Sequence, residues 1–409
     1  MPGSKVRIWK QDPSVTAIGI RSSYIHTSVE KGPADAEIEI RGMPEVIPNA
    51  DGDFLFHPTE NPKEFDAVHT FTVVRQVVTM YQRALRRMGV RDRFRWQWGS
   101  ASPIHVHPRA GEDANAYYSR EERSLRFYYF YPQQDETRPL VYTCRSFDVV
   151  AHETGHAILD ALRPGYWASW HPQTGGLHES FGDLTAIFSM LAQMDQCEAV
   201  IAESKADLHA KTFFAAVAEQ FGEALYGHRM GLRNADNDLT LDQVSNEVHA
   251  ISQVFTGAVY DILADMFADH LGVEEYDPAE TLFRVGQHMA SLVVAALVTG
   301  PSANATYADV AQRMIALEGL AQWKEYIRHR FAERRVPEGR VRLAAEAPGR
   351  LNWDRCCGTL SHRDHVCEVE KAIAKRRHAP SSKTAPGARL SSRRGKGGNR
   401  AGSARRKRR

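Results

Sequence analysis

The stretch VVAHETGHAILDAL, residues 149–162, decides how the chain is read. Two histidines stand four apart, His152 and His156, with Glu153 directly after the first, and most of the remaining residues are Val, Ala, Ile and Leu. An apolar run of this length predicts a buried helix. On a helix, residues i and i+4 lie one turn apart on one face, so both imidazoles can aim at a common point while Glu153 projects about 100° around the axis. A catalytic Zn²⁺ needs three protein ligands and an open position for water, beside a carboxylate that accepts that water's proton. The helix provides two ligands and the base. The same letters also occur in a buried helix whose histidines are ordinary core residues, so a third ligand has to decide.

It comes 23 residues on. GGLHESFGDL, residues 175–184, reads as a second helical stretch in which Glu179 and Asp183 share a face one turn apart. Glu179 completes a site of two histidines and one glutamate. Asp183 is placed to accept the free N–H of a ligand histidine, fixing its tautomer. His178, beside Glu179, is expected to face elsewhere, as a structural or solvent-facing residue.

Outward from this pair, the chain divides. Before about residue 60, short alternating segments such as AEIEI at 36–40 and DFLF at 53–56 lie among Pro, Gly and Asp, which reads as strands and turns. From Phe65 to Met88 apolar residues keep helical spacing, with Gly89 as a stop. NAYYSREERSLRFYYFYP, 115–132, reads as two aromatic-rich strands around a polar turn, and the chain from 147 to about 335 reads as helices and loops. The expected class is α+β in two lobes, a β-rich N-terminal lobe and a mainly helical C-terminal lobe, with the histidine helix at the cleft between them. The expected segments are 1–64 (β-rich), 65–162 (long helix, edge strands and histidine helix), 163–345 (helical), 346–373 (Cys/His-containing) and 374–409 (tail).

DVVAHETGHAILD followed by GGLHESFGDL resembles the thermolysin family of bacterial neutral zinc metallopeptidases. DAVHTFTVVRQVVTMYQRAL is similar to that family's long early helix, NAYY at 115–118 to its substrate-holding edge strand, GLRNADND at 231–238 to its arginine-bearing segment, and EVHAISQVFTGAVYDIL at 247–263 to the helix of its catalytic histidine. The resemblance covers about residues 60–320. It implies a zinc endopeptidase with one Zn²⁺ per chain on His152, His156 and Glu179, and Glu153 as general base. It implies further that His249 stabilises the oxyanion, that Asn115 and the backbone of Ala116 hold an extended peptide, and that Arg233 binds a substrate carbonyl. Cleavage is then expected on the amino side of bulky apolar residues.

The chain departs from the family's pattern in four places. The link from His156 to Glu179 is longer, and within GYWASWHPQT Tyr166 is the candidate for the tyrosine that assists the oxyanion; Trp167 and Trp170 stand nearby. Val244 occupies the position of the acid that orients the catalytic histidine, leaving Asp242 or Glu247 to substitute. Asp148 matches a calcium ligand, but the acidic partners after Asp183 are missing until Asp195, so the family's double calcium site is expected to be absent. No counterpart of the family's signal and pro-region is expected.

Composition bounds the rest. With 43% hydrophobic and 25% charged residues, the chain has the make-up of a soluble globular protein. Apolar runs such as ASLVVAALV at 290–298 fall short of the roughly 20 residues that cross a bilayer, so no transmembrane segment is expected. The start has no apolar signal stretch, which makes the cytoplasm the default location. Cys144, Cys197, Cys356, Cys357 and Cys367 are too sparse for a disulfide framework. Cys356, Cys357, His362, His365 and Cys367 lie within twelve residues but lack a spaced C-x₂-C pair, a poor pattern for a structural metal site. From Lys371 onward there are 15 Lys and Arg and no Asp or Glu, which leaves the first 370 residues with a net charge of −13. Segment 374–409 has too little apolar surface to fold and is expected to be disordered, contacting nucleic acid or an anionic membrane surface only non-specifically. The rival to a peptidase is a catalytically impaired zinc-containing binding or scaffold protein delivered by that tail.

Overall fold

The computed structural model describes residues 3–16, 18–89, 96, 102–169, 171–218, 222–224, 233–272 and 276–337. The Cys/His segment 346–373 and the basic tail 374–409 lie outside the described residues, as does Trp170.

The protein is a mixed α+β structure. β1 (Ser4–Trp9) and β2 (Ile20–Ile25) pair antiparallel. A four-stranded sheet follows, in the order β3 (Ile38–Ile40), β4 (Ile104–His107), β6 (Ser124–Phe127), β5 (Ala116–Ser119). β4 runs parallel to both β3 and β6, whereas β5 and β6 form an antiparallel hairpin with Ala116 opposite Phe127. β5 is therefore an edge strand. The expected strand at DFLF reduces to a single bridge from Phe54 to Val6. Four two-residue strands form two further antiparallel pairs, β7 (Tyr129–Phe130) with β8 (Val141–Tyr142) and β9 (Ala216–Val217) with β10 (Arg233–Asn234).

Between β3 and β4 runs α1 (Pro62–Arg87), the long helix expected over 65–88. Pro62 opens it without losing a hydrogen bond, Glu64 faces its positive end and Arg86 and Arg87 its negative end. Gly89 then leaves the helix at φ +70°, a left-handed conformation that favours glycine. α1 packs on β1, β3 and the histidine helix α2 (Phe147–Leu162). α2 is buried from Phe147 to Ala161, and α4 (Pro172–Leu191) from Thr174 to Leu191, after the single turn α3 (Pro164–Trp167). Beyond α5 (Met194–Ser204), α6 (Val248–His270) packs on α4, and α7 (Pro278–Thr299), α8 (Tyr307–Leu317) and α9 (Ala321–Glu333) complete the helical part. α7 is long and apolar enough to cross a membrane, more than the run at 290–298 indicated, yet it is mostly buried against α1, α5 and α8.

The chain's start is tied to the N-terminus of α2 by a pair of carboxyl groups. Ser146 Oγ lies 2.7 Å from Asp12 Oδ2 and also contacts Asp148 Oδ1. One hydroxyl carries one proton, so serving both contacts requires a second proton on a carboxyl group. Burial, then the charge of Asp148, pushes Asp12 from 3.8 to about 6. The folded state thus holds a proton that the unfolded chain releases above its lower pKa. This contribution to stability is present below about pH 4 and is lost as pH rises towards 6, at up to about 1.4 kcal/mol per pH unit. Asp12→Asn should flatten that fall and raise the melting temperature at pH 7.5 relative to the parent. Equal slopes for parent and variant between pH 4 and 6 would remove Asp12 from this account.

Candidate metal centre

α2 and α4 cross so closely that neither can carry a side chain at the contact. A Cβ on Gly155 would sit 3.2 Å from the Cα of Gly182, and one on Gly182 would come within 2.6 Å of the His152 ring. This approach brings His152 and His156 of α2 against Glu179 of α4, all three fully buried. His152 Nε2 lies 2.9 Å from His156 Nε2 and 3.7 Å from Glu179 Oε2, and His156 Nε2 lies 3.9 Å from Glu179 Oε1. Donors around a tetrahedral ion with bonds of about 2.0–2.1 Å stand about 3.3 Å apart. The three separations bracket that value, so the two imidazole nitrogens and one carboxylate oxygen can hold a metal ion together.

The groups behind the donors turn them the right way. Asp183 Oδ1 accepts from His152 Nδ1 at 2.9 Å, which leaves the Nε2 lone pair pointing at the common centre. Burial alone would lower the pKa of His152, but Asp183 and Glu179 outweigh it and lift the ring to about 9, so without a cation Nε2 also carries a proton, which a bound metal ion would displace to reach that lone pair. Asp183 itself is opposed by burial and held down to about 2 by Arg233 and His152. Arg233 is 3% exposed and grips Asp183 through Nε at 2.8 Å and Nη2 at 2.6 Å, with Nη2 also 3.4 Å from His152 Nδ1. The arginine expected to face substrate thus has two of its three nitrogens on the metal side, leaving Nη1 uncommitted to Asp183.

His178 corrects the sequence reading. It is fully buried, and its Nδ1 lies 3.3 Å from His156 Nδ1, the rings nearly stacked at 5.5 Å between centroids. Burial lowers its pKa to about 4, so it stays neutral and can accept the His156 proton, directing His156 Nε2 to the centre. The signal was present in the sequence, since His178 precedes Gly182 by one helical turn and shares the face that touches α2. Trp167 stands edge-on to His178 at 5.6 Å and to Tyr118 at 5.5 Å, forming an aromatic wall beside the donors.

Glu153 is fully buried on the same helix turn as His152. His249, near the start of α6, reaches the centre from the other side, with Nε2 3.3 Å from Glu179 Oε2. Its Nδ1 meets Glu247 Oε1 at 2.7 Å, and Glu247 caps α6 by accepting from Ala250 N at 2.8 Å. Of the two substitutes considered for the orienting acid, Glu247 occupies the position, whereas Asp242 bonds Thr240 and Arg335. Burial opposes charge on His249, but Glu179 and Glu247 prevail and raise its pKa, which favours a proton on the ring.

On the edge strand, Asn115 O accepts from Tyr128 N at 3.2 Å. Backbone groups alternate sides along a strand, so the N–H and C=O of Ala116 face away from β6, and that N–H rests on Asn115 Oδ1 at 2.9 Å. Tyr166 is a second correction. Its side chain is buried and its hydroxyl donates to Pro301 O at 3.2 Å, so it has no proton to offer an oxyanion. α3 turns this residue into the packing against the loop after α7. Asp148 contacts Ser146 and the amides of Val149 and Ala218, and Asp195 pairs with Lys10 at 3.2 Å. A second cluster, His209, Asp236 and Asp261, also converges, but Arg334 pairs with Asp261 at 2.6 Å and Arg330 lies 3.9 Å away, so two guanidinium groups supply its positive charge.

The chain matches no protein-family model and no curated protein.

Removing an outer partner of a ligand histidine typically weakens metal affinity about 10–100-fold. His178→Ala should show a loss of that size in competition with a chelator, and His156→Ala should abolish tight binding. Unchanged affinity in His178→Ala would mean that His156 is oriented without it.

Proposed function

We propose that this chain is a zinc-dependent endopeptidase in which two lobes, the sheet-bearing N-terminal part and the helical remainder, meet at α2. The observation that carries the reading is the convergence of His152, His156 and Glu179, with Glu153 on the same turn and His249 opposite. Two nitrogens and one carboxylate oxygen, each oriented by its own partner, are a donor set that suits Zn²⁺ and leaves a position open. A Zn²⁺ held there supplies a Lewis acid that polarises a carbonyl and lets water lose a proton near neutral pH.

The remaining steps belong to the chain. Glu153 accepts the proton of the attacking water and passes it to the leaving amine. His249, charged by Glu179 and Glu247, donates a hydrogen bond to the oxygen that becomes negative. The outward N–H and C=O of Ala116 pair with an extended peptide once Asn115 Oδ1 swings from the Ala116 amide to a substrate amide. The resemblance to the thermolysin family adds a preference for bulky apolar residues after the cut.

Glu153→Gln leaves the three donors in place and removes the proton acceptor. It should retain about one zinc per chain while casein hydrolysis falls by about 10²–10⁴-fold or more. Hydrolysis at the parent rate would assign the base elsewhere. Loss of zinc together with activity would show that Glu153 holds the site rather than the proton. Sequenced products of a denatured protein should begin with Leu, Phe or similar residues, and cuts confined to charged residues would contradict the apolar preference.

A further inference from the structure

We propose that a pocket between β2, α1, α4 and α7 binds a small organic anion, an oxyanion head on a short apolar body, at a site separate from the metal centre. The pocket holds about 320 Å³, within the range of small-molecule sites. Its α4 wall begins at Phe188, nine residues past Glu179 and so about 13 Å further along the helix.

The chemistry of the walls is divided. Met80, Phe188, Phe283 and Ala290 form an apolar floor. Arg83 and Arg87, one turn apart on α1 and both exposed, stand with His26 around it. Among the described residues no Asp or Glu lines the pocket. The arginine charges are felt by the groups around them. Burial and then Arg83 and Arg75 lower the pKa of His26, and burial and then Arg83 lower that of Arg87. An anion between them would relieve this repulsion.

Unused hydrogen-bonding capacity points the same way. Arg75, which also lines the pocket, is 4% exposed, and its Nη1 and Nη2 are held at 2.6 Å by Glu37 and Asp35. Its Nε is buried with no hydrogen-bond partner among the described residues. A buried donor left unpaired is costly, and an anionic oxygen is the acceptor that would satisfy it. Gln76 beside it donates to Ser23 at 2.9 Å, while its buried Oε1 has no partner among the described residues, a place for a hydroxyl or a protonated acid oxygen. Inorganic phosphate would meet the charge but leave the floor wet, and a neutral hydrocarbon would meet the floor but not the charge. The two features together select an amphipathic anion.

Calorimetric titration of the full chain with octanoate, octyl phosphate, octanol and inorganic phosphate tests this directly. Both octyl anions should bind, and octanol and inorganic phosphate should bind at least tenfold more weakly; the tighter anion identifies the head as carboxylate or phosphate. The exposed double substitution Arg83→Gln, Arg87→Gln should weaken anion binding about tenfold or more. Thr79→Trp, which fills the pocket, should abolish it, and the double substitution carries the test if that variant fails to fold. The proposal is overturned if neither anion binds at millimolar concentration, if octanol binds as tightly as octanoate, if inorganic phosphate matches octyl phosphate, or if the double substitution changes nothing.

Discussion

The contact between Gly155 and Gly182 is the constraint on which the site rests. Helices normally pack with axes about 8–10 Å apart, set by the side chains between them, and small residues bring them to the near end of that range. Here the two facing residues carry no side chain of their own, and an added Cβ on Gly155 would be 2.7 Å from Thr185 Oγ1. At that separation two histidines on one helix and a glutamate on the next come together at one point. The same Thr185 bonds Tyr81 of α1 at 2.8 Å, so the long helix is locked to the crossing as well.

Burying this many ionisable groups would be prohibitive if each stood alone. They are arranged instead as two chains that end at the centre. In one, Arg233 holds Asp183 and Asp183 holds His152. In the other, Glu247 holds His249, which faces Glu179. Glu179 is kept ionised against its burial by His249, His156 and His152 around it. A cation bound between the histidines and Glu179 would complete this arrangement, because it would replace close imidazole contacts with shared coordination.

Local features of the fold were legible in the sequence where periodicity is strong: α1, the hairpin of β5 and β6, and the buried helices α2 and α4. The donor set was legible because i, i+4 spacing on two helices limits where side chains can meet. What was not legible depends on crossing geometry or distant chain. Neighbours on a helix diverge by about 100°, which by itself turns His178 away from the site, yet a crossing as tight as this one admits two adjacent rows of α4 to the face of α2. Only its position in a lengthened loop points to Tyr166, whereas its hydroxyl is taken by Pro301, 135 residues later. The bond between Asp12 and Ser146 spans 134 residues, and no local pattern announces it.

The central claim is that His152, His156 and Glu179 bind one metal ion together. Anomalous diffraction from crystals of the zinc-loaded protein tests it most directly. The account predicts one strong peak within about 2.0–2.2 Å of His152 Nε2, His156 Nε2 and a Glu179 carboxylate oxygen. A peak at His209, Asp236 and Asp261 instead, or none between α2 and α4 in crystals containing stoichiometric zinc, would contradict it.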